Sequence, residues 1–256
     1  MTSAPIAMTT RPWGDALEDC RYLKAGGLEA IAVPTLRIER RQNIGLYDLS
    51  QDVDAMILTS RHAAKQISDQ AMLTKPCFVV GEATARAAKT AGFVDIQIAA
   101  GDGTALMALL EQSPYQRFCW PSATHSGFNI KTALEANSDK QVERIIVYEA
   151  LPEDKLDNAA IRHIRSGRPM IILIHSGRAG EQFSHLLNQH ELSEYRKFMK
   201  LIVISSRAAG LCGQGWHNIH VVSSPLRSLM LAKAFELAGL SHAETDHSTR
   251  MIKPLD

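Results

Sequence analysis

The sequence predicts an α/β protein made of two doubly wound parallel-sheet domains joined by two linkers. Three observations carry this expectation. Short apolar runs without alternation, such as Ala55-Met-Ile-Leu, Cys77-Phe-Val-Val and Met170 to Ile174, suit strands buried on both faces of a parallel sheet. Each run passes at once into small or polar residues and then a helical pattern: Thr59-Ser60-Arg61, Gly81-Glu82-Ala83-Thr84 and His175-Ser176-Gly177-Arg178. This order also repeats between the halves of the chain. MILTSRHAAKQI matches IILIHSGRAGEQF, with Ser60 opposite Ser176, and VVGEATARAA matches VISSRAAGLC, with Gly81 opposite Ser205. TTRPWGDALEDC with AIAVP matches CWPSATHSGFNI with RIIVYEALP.

In chain order, Met8-Thr9-Thr10 leads through Arg11-Pro12 into a helix over Trp13–Lys24, where Pro12 suits the first turn and Gly26-Gly27 the stop. Glu29–Pro34 is a second strand. Thr35–Ser50 is polar and irregular, a linker with a short helix at Ile44-Gly-Leu-Tyr. The strand-turn-helix units of Ala55 and Cys77 follow, then a strand over Phe93–Ala99 and a turn at Gly101-Asp102-Gly103. Thr104 is placed to cap a helix over Ala105–Glu111. Gln116–Trp120 is a strand ending in the turn Pro121–Gly127, followed by a helix over Phe128–Ala136 and a strand over Arg144–Tyr148. Glu149–Lys155 is a second, charged linker. Beyond it come a helix over Leu156–Ser166, strands over Met170–Ile174, Leu201–Ile204 and Asn218–Val222 with helices between them, and a last helix over Pro225–Ala238. Ser241–Asp256 has no periodicity and reads as a loose tail.

Only two strands precede the first linker, whereas each half of the repeat offers about five. The economical arrangement joins 1–36 to 151–256 as one discontinuous domain, with 37–150 inserted as the other. Each is then a flavodoxin-like winding, and strand-end turns of both line a cleft crossed by the linkers.

At 256 residues, 45% hydrophobic and 21% charged, the composition is that of a soluble globular protein with room for two cores. A net charge of +1 provides no bulk field for nucleic acid or an anionic membrane, so an acidic ligand needs local basic groups. No apolar stretch of signal-peptide length precedes Arg11, and Met170–Ile174 falls far short of the roughly 20 residues that span a bilayer. A cytoplasmic protein is expected. Cys20, Cys77, Cys119 and Cys212 form no CxxC pair and read as buried free thiols. His217 and His220 sit at a loop-to-strand passage unsuited to a shared metal. There is no HExxH, GxGxxG or Walker lysine, and no Ser-His-Asp set follows from spacing. Shared metal ligation and nucleotide binding therefore lack their usual marks.

Hydroxyl, glycine and guanidinium groups just past parallel strands sit where free helix N–H groups attract anions. Thr59, Ser60, Arg61, Gly81, Ser176, Arg178, Ser205 and Arg207 are therefore candidates for carboxylate or phosphate binding, against plain N-capping as the competing role of the hydroxyls. Each contact contributes only about 0.3–1 kcal/mol when exposed, so a ligand held this way carries several negative groups. Arg11 belongs to the same edge. Thr84 is either a ligand hydroxyl or bonded to its own helix backbone. Tyr148, at a strand end, is either a proton donor facing the cleft or a half-buried tyrosine at a domain edge.

Thr10-Arg11-Pro12, ILTSRHAA, VVGEATARAA with GF after it, IIVYEA and His175-Ser176, in this order, resemble the uroporphyrinogen-III synthase family over about residues 8–240. The resemblance implies two doubly wound domains joined by two linkers. It also implies a cofactor-free lyase of heme biosynthesis that closes the linear tetrapyrrole hydroxymethylbilane with inversion of ring D. Further implications are a monomer, a transient contact with the preceding enzyme of the pathway, and no nucleic-acid or membrane partner. Tyr148 matches the family's strand-end tyrosine and Thr84 the threonine of its glycine-x-alanine-threonine turn. Two departures stand out. The arginine-glycine pair that the family often carries after the strand ending in Trp120-Pro121 is absent, and Arg207-Ala208 stands where some members carry hydroxyl residues. The alternative reading is a non-catalytic binder or sensor of a multi-carboxylate tetrapyrrole. A response-regulator-like domain is disfavoured, because no acidic cluster follows the first strand.

Overall fold

The computed structural model describes residues 4–41, 52–99 and 103–240. The helix expected near Ile44, the turn at Gly101-Asp102 and the tail from Ser241 lie outside them. In chain order the elements begin β1 (Ile6–Thr9), α1 (Trp13–Ala25), β2 (Ala30–Ala32), β3 (Leu36–Arg40), β4 (Ala55–Leu58), α2 (Arg61–Ala64), α3 (Gln70–Leu73) and β5 (Cys77–Val80). They continue with α4 (Gly81–Ala91), β6 (Ile96–Ala99), α5 (Gly103–Gln112), β7 (Arg117–Ala123), α6 (Ile130–Asn137) and β8 (Gln141–Pro152). The last are α7 (Asn158–Arg165), β9 (Met170–Ile174), α8 (Gly177–Gln189), a 3₁₀ helix (Ser193–Phe198), β10 (Met199–Val203), α9 (Ser206–Leu211), β11 (Asn218–Val221) and α10 (Arg227–Leu237).

The chain divides into two compact units, Met1–Arg37 with Pro152–Asp256, and Ile38–Leu151. The first holds a five-stranded sheet, order β11-β10-β9-β1-β2, parallel throughout. The second sheet has the order β3-β8-β7-β4-β5-β6 and is parallel from β8 to β6. In both, the winding reverses next to the first central strand, between β1 and β9 and between β7 and β4.

Both sheets are covered on both faces, as the unalternating apolar runs require. In the first unit, Ile6, Met8, Ile172 and Ile174 face α7, α8 and α9, while Ala7, Ile171 and Leu173 face α1 and α10. In the second, Met56, Leu58 and Val79 pack on α2, α3 and α4, and Ile57, Phe78, Phe118 and Trp120 on α5 and α6. The stop after α1 is a close fit: the Leu28 N–H reaches back to the Leu23 carbonyl at 3.0 Å and Gly27 has φ 85°. A Cβ on Gly26 would lie 2.4 Å from the Phe235 ring.

Four local expectations are corrected. Thr35–Ser50 is not irregular throughout, because Leu36–Arg40 forms β3, whose sequence LRIER alternates apolar and polar residues. Glu149–Pro152 is not linker but the continuation of β8. The two strands are antiparallel: the Arg41 N–H donates to the Val147 carbonyl at 3.0 Å and the Glu153 N–H to the Thr35 carbonyl at 2.9 Å. β7 does not stop at Trp120. Its pairing with β4 ends at Cys119, so Pro121, which has no N–H, continues against β8 alone. Thr104 is not a cap, since α5 already begins at Gly103.

Candidate functional site

The carboxyl ends of the strands, beside each reversal of winding, are where doubly wound sheets take ligands. In the second unit this edge gathers residues far apart in sequence. Ser60 follows β4 and caps α2, its Oγ accepting from the His62 N–H at 3.1 Å. Tyr148 on β8 turns its ring into the core cluster beneath α2 and is only 7% exposed. Its hydroxyl donates to the Ser60 Oγ at 3.0 Å, across 88 residues of chain. The His62 and Tyr148 rings are 5.8 Å apart. Thr59 Oγ1 accepts from the Trp120 indole N–H at 3.3 Å. The Arg144 guanidinium lies 5.0 Å from the Trp120 ring, donating through Nε to Ser122 Oγ and through Nη2 to the Ala123 carbonyl. Arg61 is the first residue of α2. Gly81 opens α4 with φ 73°, a conformation that favours glycine. Thr84 is one turn on, on the buried face of that helix.

In the first unit the same edge is organised by a buried carboxylate. Asp19 of α1 is fully buried and accepts from Thr9 Oγ1 at 3.0 Å, Arg11 Nη1 at 3.1 Å and Arg227 Nε at 2.6 Å. Arg11 also donates to Asp15 at 3.0 Å. The Arg11 guanidinium, in the turn before α1, is thus engaged by two carboxylates of that helix. His175, at the end of β9, brings Nε2 to 3.7 Å from Asp19. Burial and the neighbouring Arg11 guanidinium push its imidazole down to about 4, against the opposing pull of Asp19. It is neutral at pH 7. Thr10 Oγ1 donates to the Leu173 carbonyl at 2.9 Å, tying the ends of β1 and β9 together. Ser176 and Ser205 cap α8 and α9, accepting from Ala179 N–H and Ala208 N–H at 3.2 Å each. Arg178 is the second residue of α8, and Arg207, the second of α9, is exposed.

Ser60 and Tyr148 are thus in direct contact, while Ser60, Ser176 and Ser205 are each engaged as caps. Sequence reasoning missed Asp15, Asp19, His175, Arg227, Trp120 and Arg144. A signal existed for two of them: Asp15 and Asp19 are four apart on one face of α1, and Arg11 precedes them at the same spacing. Arg227, 208 residues from Asp19, had none. The four cysteines are buried and unbridged, and burial pushes the thiols of Cys20 and Cys212 up to about 11 and that of Cys119 to about 12. Among the described residues no three His, Cys, Asp or Glu side chains are grouped to hold a metal, and no described helix is long and apolar enough to cross a membrane.

A family model described as uroporphyrinogen-III synthase HemD matches residues 19–227. No curated protein matches the sequence. Among solved structures, the chain is similar to uroporphyrinogen-III synthetase from Helicobacter pylori. The identity is 16%, the match covers 92% of this chain and 100% of that one, and the TM-score is 0.61. It is also similar to a mutant uroporphyrinogen III synthase from Thermus thermophilus, with 16% identity, 92% and 98% coverage and a TM-score of 0.51. At such identities the likeness to the solved structures establishes the fold.

Proposed function

The chain belongs to the uroporphyrinogen-III synthase family, and from that premise we propose that it is a lyase closing hydroxymethylbilane to uroporphyrinogen III, with ring D inverted and water released. The observation that carries the reading is the Tyr148 hydroxyl, held at 3.0 Å by Ser60 at a strand-end edge beside the reversal of winding. Loss of hydroxide as water from the terminal methylene needs a proton, and a positioned acid contributes roughly 10²–10⁴-fold. Tyr148 supplies it. The pyrrole nitrogen lone pair stabilises the azafulvenium cation that remains. Attack at the substituted carbon of ring D gives a spiro intermediate, which fragments and recloses in the inverted sense.

Most of the work is conformational, holding the two terminal rings in a geometry that the free chain rarely adopts. The substrate's eight carboxylates suit a surface of many weak anion-holding turns, and Thr59, Ser60, Arg61, Gly81, Ser176, Arg178, Ser205 and Arg207 supply such turns on the two sheets. Arg11 acts through Asp15 and Asp19, stiffening the edge of the first sheet. The test is a coupled assay with freshly generated hydroxymethylbilane, separating uroporphyrin isomers after oxidation. Isomer III is expected. Isomer I alone, the product of spontaneous closure, would replace this reading with that of a tetrapyrrole-binding protein, which the missing arginine-glycine pair after β7 favours.

A further inference from the structure

An aliphatic hydroxyl has one hydrogen to give and two lone pairs to accept with. The Ser60 Oγ accepts from the His62 N–H at 3.1 Å and from the Tyr148 hydroxyl at 3.0 Å. Acidity sets the direction of the second bond. A phenol is the stronger donor and its oxygen lone pairs are partly withdrawn into the ring, so tyrosine donates and serine accepts. With both lone pairs engaged, the remaining direction at Ser60 Oγ carries its own hydrogen. Ser60 is partly exposed at the carboxyl end of β4, whereas Tyr148 is 7% exposed with its hydrogen turned onto serine. The hydrogen presented at this edge belongs to Ser60.

We propose, on the basis of the synthase reading above, that Ser60 is the catalytic hydroxyl that delivers the proton, with Tyr148 replenishing it from behind. The Ser60 hydrogen moves to the departing hydroxyl oxygen as the C–O bond breaks, and the bonding pair leaves with that oxygen as water. In the same event the Tyr148 hydrogen moves onto Ser60 Oγ, so no alkoxide forms and the charge rests on the phenolate. When the last ring carbon loses its proton to restore aromaticity, that proton returns through Ser60 to Tyr148. Both hydroxyls are regenerated and one water has left. Serine here does more than cap a helix, and tyrosine acts without touching the substrate.

The experiment measures isomer-resolved turnover and thermal unfolding for wild type, Ser60→Ala, Ser60→Asn, Ser60→Thr, Tyr148→Phe and the Ser60→Ala/Tyr148→Phe pair. Asparagine keeps a capping oxygen but no hydroxyl, which separates loss of the relay from loss of the cap. Ser60→Ala and Ser60→Asn are each expected to lower kcat about 10²-fold with KM changed less than about 3-fold, and Ser60→Thr to recover most of the loss. The double variant should be no slower than the slower single one, because the two hydroxyls act as a unit. The two Tm losses should also fail to add in the free protein. If Ser60→Asn turns over within about 3-fold of wild type while Tyr148→Phe is slow, the relay is overturned and Tyr148 acts on the substrate itself, with the synthase reading intact. If wild type forms only isomer I, the synthase reading fails and takes the relay with it.

Discussion

At the scale of single residues, Tyr148 and His175 each do something that exposure alone would not suggest. Tyr148→Phe removes the hydroxyl and leaves the buried ring, so kcat is expected to fall by roughly 10²–10⁴-fold with product affinity nearly unchanged. Isomer-resolved turnover and a product titration check this, and wild-type turnover in the variant would remove Tyr148 from the chemistry. His175 is 12% exposed and its imidazole is pushed down from 6.5 to about 4. A lowered folded-state value means that the unfolded chain binds the extra proton between those two pH values, so stability rises with pH across that window. The contribution, up to about 3 kcal/mol, is complete above pH 6.5 and lost as pH falls toward 4. His175→Gln should flatten this acid limb in urea-unfolding curves at pH 4.5, 5.5 and 7. An unchanged slope would show that other groups set it. The sequence marked Tyr148 and passed over His175, because a histidine after a strand carries no sign of how deeply its ring will be buried.

At the scale of elements, the buried Asp19 network joins the end of β1 to α1 and α10. It consists of one carboxylate held by Thr9, Arg11 and Arg227, with His175 alongside. Asp19→Ala leaves two guanidinium groups without their shared buried partner, a situation that typically costs about 3–5 kcal/mol. Chemical unfolding of the variant measures it, and a loss below about 1 kcal/mol would mean that water replaces the carboxylate easily. The strands and long helices were legible because burial on both faces leaves an unbroken apolar run and a covered helix leaves a stripe. β4, β5 and β9 occupy the stretches their apolar runs indicate. The two strands at the chain crossings were less legible. β3 is short, and the last residues of β8, EALP, have neither alternation nor an apolar run. Their partnership is with each other, a long-range pairing that leaves little local trace. Pro121 reads as a stop because it has no N–H to give a ladder, yet β7 runs on through it, since its pairing with β4 ends at Cys119 and its pairing with β8 continues to Ala123.

At the scale of the whole molecule, the two sheets are the same object. The order β11-β10-β9-β1-β2 becomes that of β6-β5-β4-β7-β8 when β9, β10 and β11 are matched with β4, β5 and β6, and β1 and β2 with β7 and β8. This is the correspondence written in the repeat that sets Ser60 opposite Ser176. In chain order the segments alternate, so the inserted unit takes the two middle segments and the other unit the two outer ones. Each unit holds its own cores and two of the buried cysteines: Cys20 and Cys212 in one, Cys77 and Cys119 in the other. Thiol labelling therefore reports the opening of each separately. Leu186→Ala, in the core of the discontinuous unit, should cost about 2–5 kcal/mol and speed labelling of Cys20 and Cys212 while leaving Cys77 and Cys119 at the wild-type rate. Equal acceleration of all four would show that the units open as one. The sequence by itself determined the strand-turn-helix units, the strand-end position of the serine hydroxyls and the repeat, since these follow from periodicity and from the residue types that local backbone geometry demands; Tyr148, expected at a strand end, lies inside β8. Only the tertiary structure decided that Tyr148 meets Ser60 and that Arg227 meets Asp19, because partners 88 and 208 residues apart are chosen by sheet order and register.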